Sequence, residues 1–177
     1  MRKAIQAMAA AALAWWTIFP AAASGPRITS IASLSDLPTP LPYPYDETAN
    51  ADRQVDAALA KARAQHKLAF LDLGGNWCGD CRVLAALLEL PEVKAFVDRH
   101  YVVANVDIGR FNKNLQIPAR WGIVDRLAGA PSVLIVDPDD NNTLLDRGHI
   151  AALEDARHMT PQAIADWLAY WTQVGGK

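Results

Sequence analysis

Two cysteines stand two residues apart in Cys78-Gly79-Asp80-Cys81, and the 177-residue chain contains no others. Three chemistries are open to such a pair: thiol–disulfide exchange, soft-metal binding, or a short structural cross-link. Position separates them. Leu68 to Leu73 is an apolar run interrupted only by Asp72, and Gly74-Gly75-Asn76-Trp77 follows it. Beyond Cys81 the period changes, with Val83, Leu84, Leu87 and Leu88 at helical spacing. The stretch reads as strand, tight turn, and a helix opening at the cysteines. A thiol at a helix N-terminus faces unpaired N–H groups and the positive end of the dipole, which lowers its pKa and makes it nucleophilic. A partner three residues on lies one turn along, close enough to attack a mixed disulfide from within. Cys78 is thus the expected attacking thiol and Cys81 the expected buried, resolving one.

Other readings stand beside this one. A CxxC is often half of a zinc site, but zinc needs four ligands, and His66, His100, His149 and His158 show no paired ligand spacing. A structural disulfide would close so short a loop that it constrains the unfolded chain little. Asp72 inside an apolar strand is costly to bury, which points to a role. Pro131, in Gly129-Ala130-Pro131-Ser132 ahead of apolar Val133 to Val136, reads on local grounds as an ordinary turn proline.

The combination resembles the thioredoxin family, whose hallmark is a strand ending in Trp-Cys-x-x-Cys at the start of a helix. Three motifs carry the resemblance in order: Trp77-Cys78-Gly79-Asp80-Cys81, Asp72 six residues before Cys78, and the Pro131 loop leading into a strand. Asn76-Trp77-Cys78-Gly79-Asp80-Cys81-Arg82 and Asn105-Val106-Asp107-Ile108 narrow it to secreted bacterial thioredoxin-like proteins of the disulfide-isomerase and thiol:disulfide-interchange kind. The resemblance implies an α/β thioredoxin-like fold, a central mixed sheet with helices on both faces. It also implies catalysis by Cys78 and Cys81, proton transfer between Asp72 and Cys81, and a cis-proline at Pro131. Trp77, Gly79, Asp80, Ala130 and Pro131 would face the substrate, with the backbone at Ala130 and Pro131 pairing with a bound peptide. Two departures stand out. The family's lysine near the buried acid has no counterpart between Tyr101 and Asp107, and Gly79-Asp80 replaces the usual Gly-Pro.

The remaining elements must position these groups. Residues 1–23 have the form of a secretory signal peptide: Arg2 and Lys3, an apolar stretch from Ala4 to Ile18, and Ala21-Ala22-Ala23 before Ser24. The stretch falls short of the roughly 20 residues of a membrane span. Residues 24–46 are Pro-rich and read as an extended tether, or as a strap if Tyr43 and Tyr45 pack on the domain. Residues 47–174 form the expected thioredoxin-like domain. Within it a helix capped by Asn50 or Asp52 runs to about Gln65, and a helix bends or restarts at Pro91. Tyr101 to Val106 is a buried strand, and Phe111, Leu115 and Ile117 mark a helix ending before Pro118. Asp137 to Asn142 is a hairpin turn, and Thr160-Pro161 opens a last helix. The extra residues between Ile108 and Leu127 are expected to border the substrate groove.

Net charge is −2, with 17 basic residues against 19 acids. Loss of Arg2 and Lys3 with the leader leaves 15 against 19, a net −4 with no basic run, which speaks against nucleic acid as a partner. The expected activity is thiol–disulfide exchange on exported proteins in the periplasm or outside the cell, with recharging by an upstream thiol reductase. No cofactor or metal is expected besides the Cys78–Cys81 disulfide, and no stable membrane insertion after cleavage. A charge at Asp80 beside Cys78 would disfavour the thiolate and favour a reductant over a strong oxidant. The alternatives are a disulfide isomerase, a reductase dedicated to apocytochrome or metalloprotein thiols, and a Cu(I) chaperone using the same two sulfurs.

Overall fold

The computed structural model describes residues 25–177; the leader assigned to residues 1–23 lies outside them. Four strands form one sheet in the order β2-β1-β3-β4: β1 (Leu68–Gly74), β2 (Tyr101–Asp107), β3 (Ser132–Asp137) and β4 (Thr143–Leu144). β1 runs parallel to β2 and antiparallel to β3, and β3 pairs antiparallel with β4. The sheet is therefore mixed. Every residue of β1 and β3 is buried, as a central strand covered on both faces requires.

Alternation along β1 divides the core. Leu68 and Phe70 face one layer with α2 (Gly79–Leu88), α3 (Pro91–His100) and α5 (Pro161–Val174). Ala69, Leu71 and Leu73 face the other, with α1 (Ala51–Gln65). Asp72 falls in the parity of Leu68 and Phe70, so its side chain lies on the face of the cysteine helix. The caps are those the sequence marks: the Asn50 side chain accepts from the Arg53 N–H, Thr160 accepts from Ala163, and Pro91 and Pro161 open their helices.

One segment departs from the sequence reading. The helix expected to end before Pro118 is instead the single turn α4 (Gln116–Ala119), which contains that proline. Phe111 and Asn114 sit at positive φ and break any earlier helix, while in so short a turn the missing proline N–H has no helical acceptor to lose. Arg120 pairs with Asp52 and Asp56, tying this segment to α1.

The Pro-rich stretch is a strap, and it includes a 3-10 turn at Leu34–Asp36 closed by a Ser33/Asp36 capping box. Leu37 and Tyr45 are buried, whereas Tyr43 lies outside, over the Arg82 guanidinium at 3.9 Å. Arg82 also donates to the carbonyls of Leu41 and Pro42, and Glu92 accepts from the N–H groups of Thr29 and Ser30. Those bonds hold the Glu92 carboxyl down at about 2. Among the described residues no helix is long and apolar enough to cross a membrane.

Phe70 packs edge-on against Tyr101 and Trp167 at the centre of the α5 face. Phe70→Ala should cost about 3–5 kcal/mol, read as a lowered urea midpoint at unchanged slope. A loss below 1 kcal/mol would mean that this face is not the packed core.

Candidate active site

The site begins with the end of β1. After Gly74 the chain turns through Gly75-Asn76-Trp77, and Cys78 becomes the N-cap of α2. Its Sγ accepts from the Cys81 N–H at 3.1 Å, so a helix-terminal donor is aimed at the sulfur expected to carry charge. Cys78 and Cys81 are joined as a disulfide with Cα atoms 5.3 Å apart. Cys81 is fully buried, and Cys78 keeps only a small exposed edge. That asymmetry makes Cys78 the accessible sulfur.

The Pro131 loop closes over that edge. The Ala130–Pro131 bond is cis, and the Ala130 carbonyl oxygen lies 3.2 Å from Cys78 Sγ. Ser132 bonds back to the Gly129 carbonyl, and the Val133 N–H donates to Ile150, which fixes the loop between β3 and the following chain. Register places Leu73 opposite Ser132 and Asp72 opposite Val133, so the strand pairing itself sets the loop beside the disulfide.

Trp77 remains 42% exposed and forms the other rim. Its Nε1 donates to the Gly109 carbonyl at 2.6 Å, its ring meets Phe111 edge-on, and the Arg110 guanidinium sits 5.0 Å from it. The long segment after β2 thus packs against Trp77. Trp121 is not part of the rim; it is half-buried on the α1 side and donates to the Asn142 carbonyl.

Asp80 has a partner that the sequence reading did not supply. The carboxylate is buried and fully engaged: Oδ1 accepts from the Arg157 N–H at 2.9 Å and Oδ2 from the Arg157 Nε at 3.0 Å. It latches α2 to the 3-10 turn Ala156–His158. The Arg157 guanidinium also covers Gly79, where an added Cβ would meet it at 3.2 Å. A lone negative charge beside Cys78 is therefore absent, because Arg157 neutralises it. Nothing in the spacing of the sequence marks Arg157, since 77 residues separate the pair.

Asp72 is fully buried on the face of β1 that packs against α2. In place of the absent lysine, the Tyr45 hydroxyl donates to Asp72 Oδ2 at 2.8 Å, and Asp72 Oδ1 has no partner. Burial pushes the Asp72 carboxyl up to about 7, the Tyr45 bond opposing it, and burial beside that carboxylate pushes the Tyr45 phenol far above its usual value. Register sets Asn105 opposite Asp72 on β2. Among the described residues no group of three or more His, Cys, Asp or Glu side chains is arranged to hold a metal ion.

The geometry can be set against known proteins. A family model described as thioredoxin-like matches residues 49–138. This chain belongs to that family. Over 88 residues it is 35% identical to the thiol:disulfide interchange protein DsbD 1 of Pseudomonas aeruginosa, covering 48% of this chain and 14% of the length of that relative. The crystal structure of a disulphide isomerase from Xylella fastidiosa Temecula1 superposes with a TM-score of 0.65 at 35% identity, over 75% of this chain and 98% of that one. Fold, motif and disulfide together equip this thioredoxin-like chain for thiol–disulfide oxidoreductase chemistry.

The Asp72 carboxyl titrates near 7 in the fold against an ordinary 3.8, so the fold favours its neutral form. Its stabilising share is complete below about pH 4 and is lost as pH rises through 7. Oxidised Asp72→Asn, which carries no such charge, should melt higher than the parent at pH 8, with the gap shrinking at pH 5. A gap independent of pH would show that Asp72 does not titrate in this range.

Proposed function

We propose that this chain is a periplasmic thiol–disulfide oxidoreductase that reduces or exchanges disulfides in exported proteins. One observation carries the reading: the accessible sulfur of an N-terminal helical disulfide lies against the backbone of a cis-proline loop, with a buried acid behind its partner. Cys78 thiolate attacks a client disulfide, forming Cys78–S–client and releasing one client sulfur as thiolate. Asp72 takes the Cys81 proton, and the Cys81 thiolate attacks Cys78 Sγ. The Cys78–Cys81 bond forms, the bond to the client breaks, and the second client sulfur leaves with the electron pair. The client is reduced by two electrons and the motif is oxidised, to be recharged by an upstream thiol reductase.

Ala130 and Pro131 offer backbone to an extended client segment, and Trp77 and the Gly79 edge bound it. The leader-like composition of residues 1–23 supports an exported setting. Electron flow toward the client rests on a mild poise at Cys78. The Asp80–Arg157 pair is neutral, so the helix N-terminus alone stabilises the thiolate, without the additional positive charge that would make a strong oxidant. Among the described residues no group of three or more His, Cys, Asp or Glu side chains would join the two sulfurs in a Cu(I) chaperone.

Equilibration in graded dithiothreitol or glutathione buffers should give a potential near the thioredoxin value of about −270 mV. A value near −120 mV, that of a strong oxidant, would reverse the assigned direction. Cys81→Ser should accumulate a mixed disulfide with a model client, whereas Cys78→Ser should not; the opposite pattern would exchange the two roles. Arg157→Ala exposes the Asp80 charge to Cys78 and should move the potential more negative by about 30 mV, a tenfold change in equilibrium constant. An unchanged potential would show that the pair does not set the poise of the site.

A further inference from the structure

The strap delivers a residue that neither the family motif nor the cysteine geometry accounts for. Tyr45 is 3% exposed, and its backbone is pinned from both sides by one side chain. Its N–H donates to Asn76 Oδ1 at 3.1 Å, and Asn76 Nδ2 donates back to its carbonyl at 2.8 Å. Asn76 is the residue before Trp77, so the strap is fastened directly to the active-site turn. The hydroxyl occupies the space left by the missing side chain of Gly74. A Cβ there would lie 2.7 Å from Cys81 Sγ and closer still to the Tyr45 oxygen. The hydroxyl, the resolving sulfur and the carboxylate of Asp72 thus meet behind the disulfide.

We infer that Tyr45 is a positioning residue for proton transfer: by donating to Asp72 Oδ2, it reserves the unpartnered Oδ1 as the atom that exchanges a proton with Cys81. This deepens the proposed reaction and rests on it. The bond contributes in two ways. It fixes the rotation of the carboxylate, which would otherwise be free to present either oxygen. It also stabilises the charged form, so the acid and base forms of Asp72 are both accessible near neutral pH despite full burial. A buried carboxylate with no donor would remain protonated and could not accept the Cys81 proton.

The surroundings leave this assignment to Tyr45. From α2 the facing groups are Cys81 and Cys78, and the Asp80 charge is spent on Arg157. From β2 the Asp107 carboxylate acts on Tyr45, but Lys113 holds it at 2.6 Å. Glu47, two residues beyond Tyr45, accepts from the Asn76 amide.

The oxidised protein supplies a clean test, because neither cysteine titrates while the disulfide is intact. A dithiothreitol thiolate attacks Cys78 Sγ, the Cys78–Cys81 bond breaks, and Cys81 leaves with the electron pair and takes the Asp72 proton. The second dithiothreitol thiol then resolves the mixed disulfide, leaving the protein dithiol and oxidised dithiothreitol. The rate per dithiothreitol thiolate, followed by tryptophan fluorescence from pH 5 to 9, should fall as Asp72 ionises. Tyr45→Phe removes the bond that favours the carboxylate, so its fall should move up by half a pH unit or more. Replacing Tyr45 with 3-fluorotyrosine keeps the shape, strengthens the donor, and should move the fall down, which covers the case of a phenylalanine variant that fails to fold. In an Asp72→Asn background the profile should be flat and indifferent to the residue at 45. A flat profile is lost if Asp72 is not the proton donor, and that result would overturn the proposed relay itself. An inflection that Asp72→Asn abolishes but neither Tyr45 variant moves would overturn the role of Tyr45 alone.

Discussion

Everything near the disulfide depends on burying a carboxylic acid in the central strand. Asp72 sits among Leu and Phe with no water-facing side, an environment that strongly disfavours its charge. The fold supplies one donor, the Tyr45 hydroxyl, and leaves the other oxygen unpaired. That partial satisfaction costs stability, and it places the carboxyl where a proton can be given and taken at neutral pH. A fully bonded carboxylate would be a permanent anion, and a fully unbonded one a permanent acid.

The same constraint explains the strap. A segment rich in proline cannot join the sheet or form a long helix, yet it lies in a fixed path from Pro26, at α5, to Tyr45, behind the cysteines. Glu92, Arg82 and Asn76 hold it at three places, each by accepting from or donating to strap backbone. Proline lowers the entropy lost in fixing such a path. Packing and chemistry are joined in one segment, because the residue that anchors the strap most deeply is the one that touches the acid.

Charge around Cys78 is arranged differently from charge around Cys81. In front, Asp80 and Arg157 cancel, Arg110 lies over Trp77, and the cis-proline loop offers a carbonyl at 3.2 Å. The donor aimed at Cys78 Sγ comes from its own helix, the Cys81 N–H. Behind, a buried acid and a buried phenol share a hydrogen bond, which counts for more there than it would in water. The two sulfurs divide in the same way: Cys78 keeps an exposed edge and Cys81 lies wholly in the core.

The sequence alone determined the local events. Strand, turn and capped helix around the CxxC follow from period and from the residues that can occupy a helix start, and the order of Asp72, Cys78, Cys81 and Pro131 carried the family. Pro91, Asn50 and Thr160 marked helix starts because capping depends on neighbours only a few residues away. What the sequence could not decide were pairings across long separations. Asp80 with Arg157 is 77 residues apart and Tyr45 with Asp72 is 27, and no spacing rule links either pair. An isolated Asp80 reads as a charge against Cys78, and only the turn at Ala156–His158 brings the guanidinium that cancels it. The helix expected before Pro118 failed for a related reason: its apolar spacing was real, but Phe111 is drawn against Trp77 and Ile117 into the α1 core, contacts that a continuous helix would not make. Local preference set the elements, and tertiary packing chose which polar groups met.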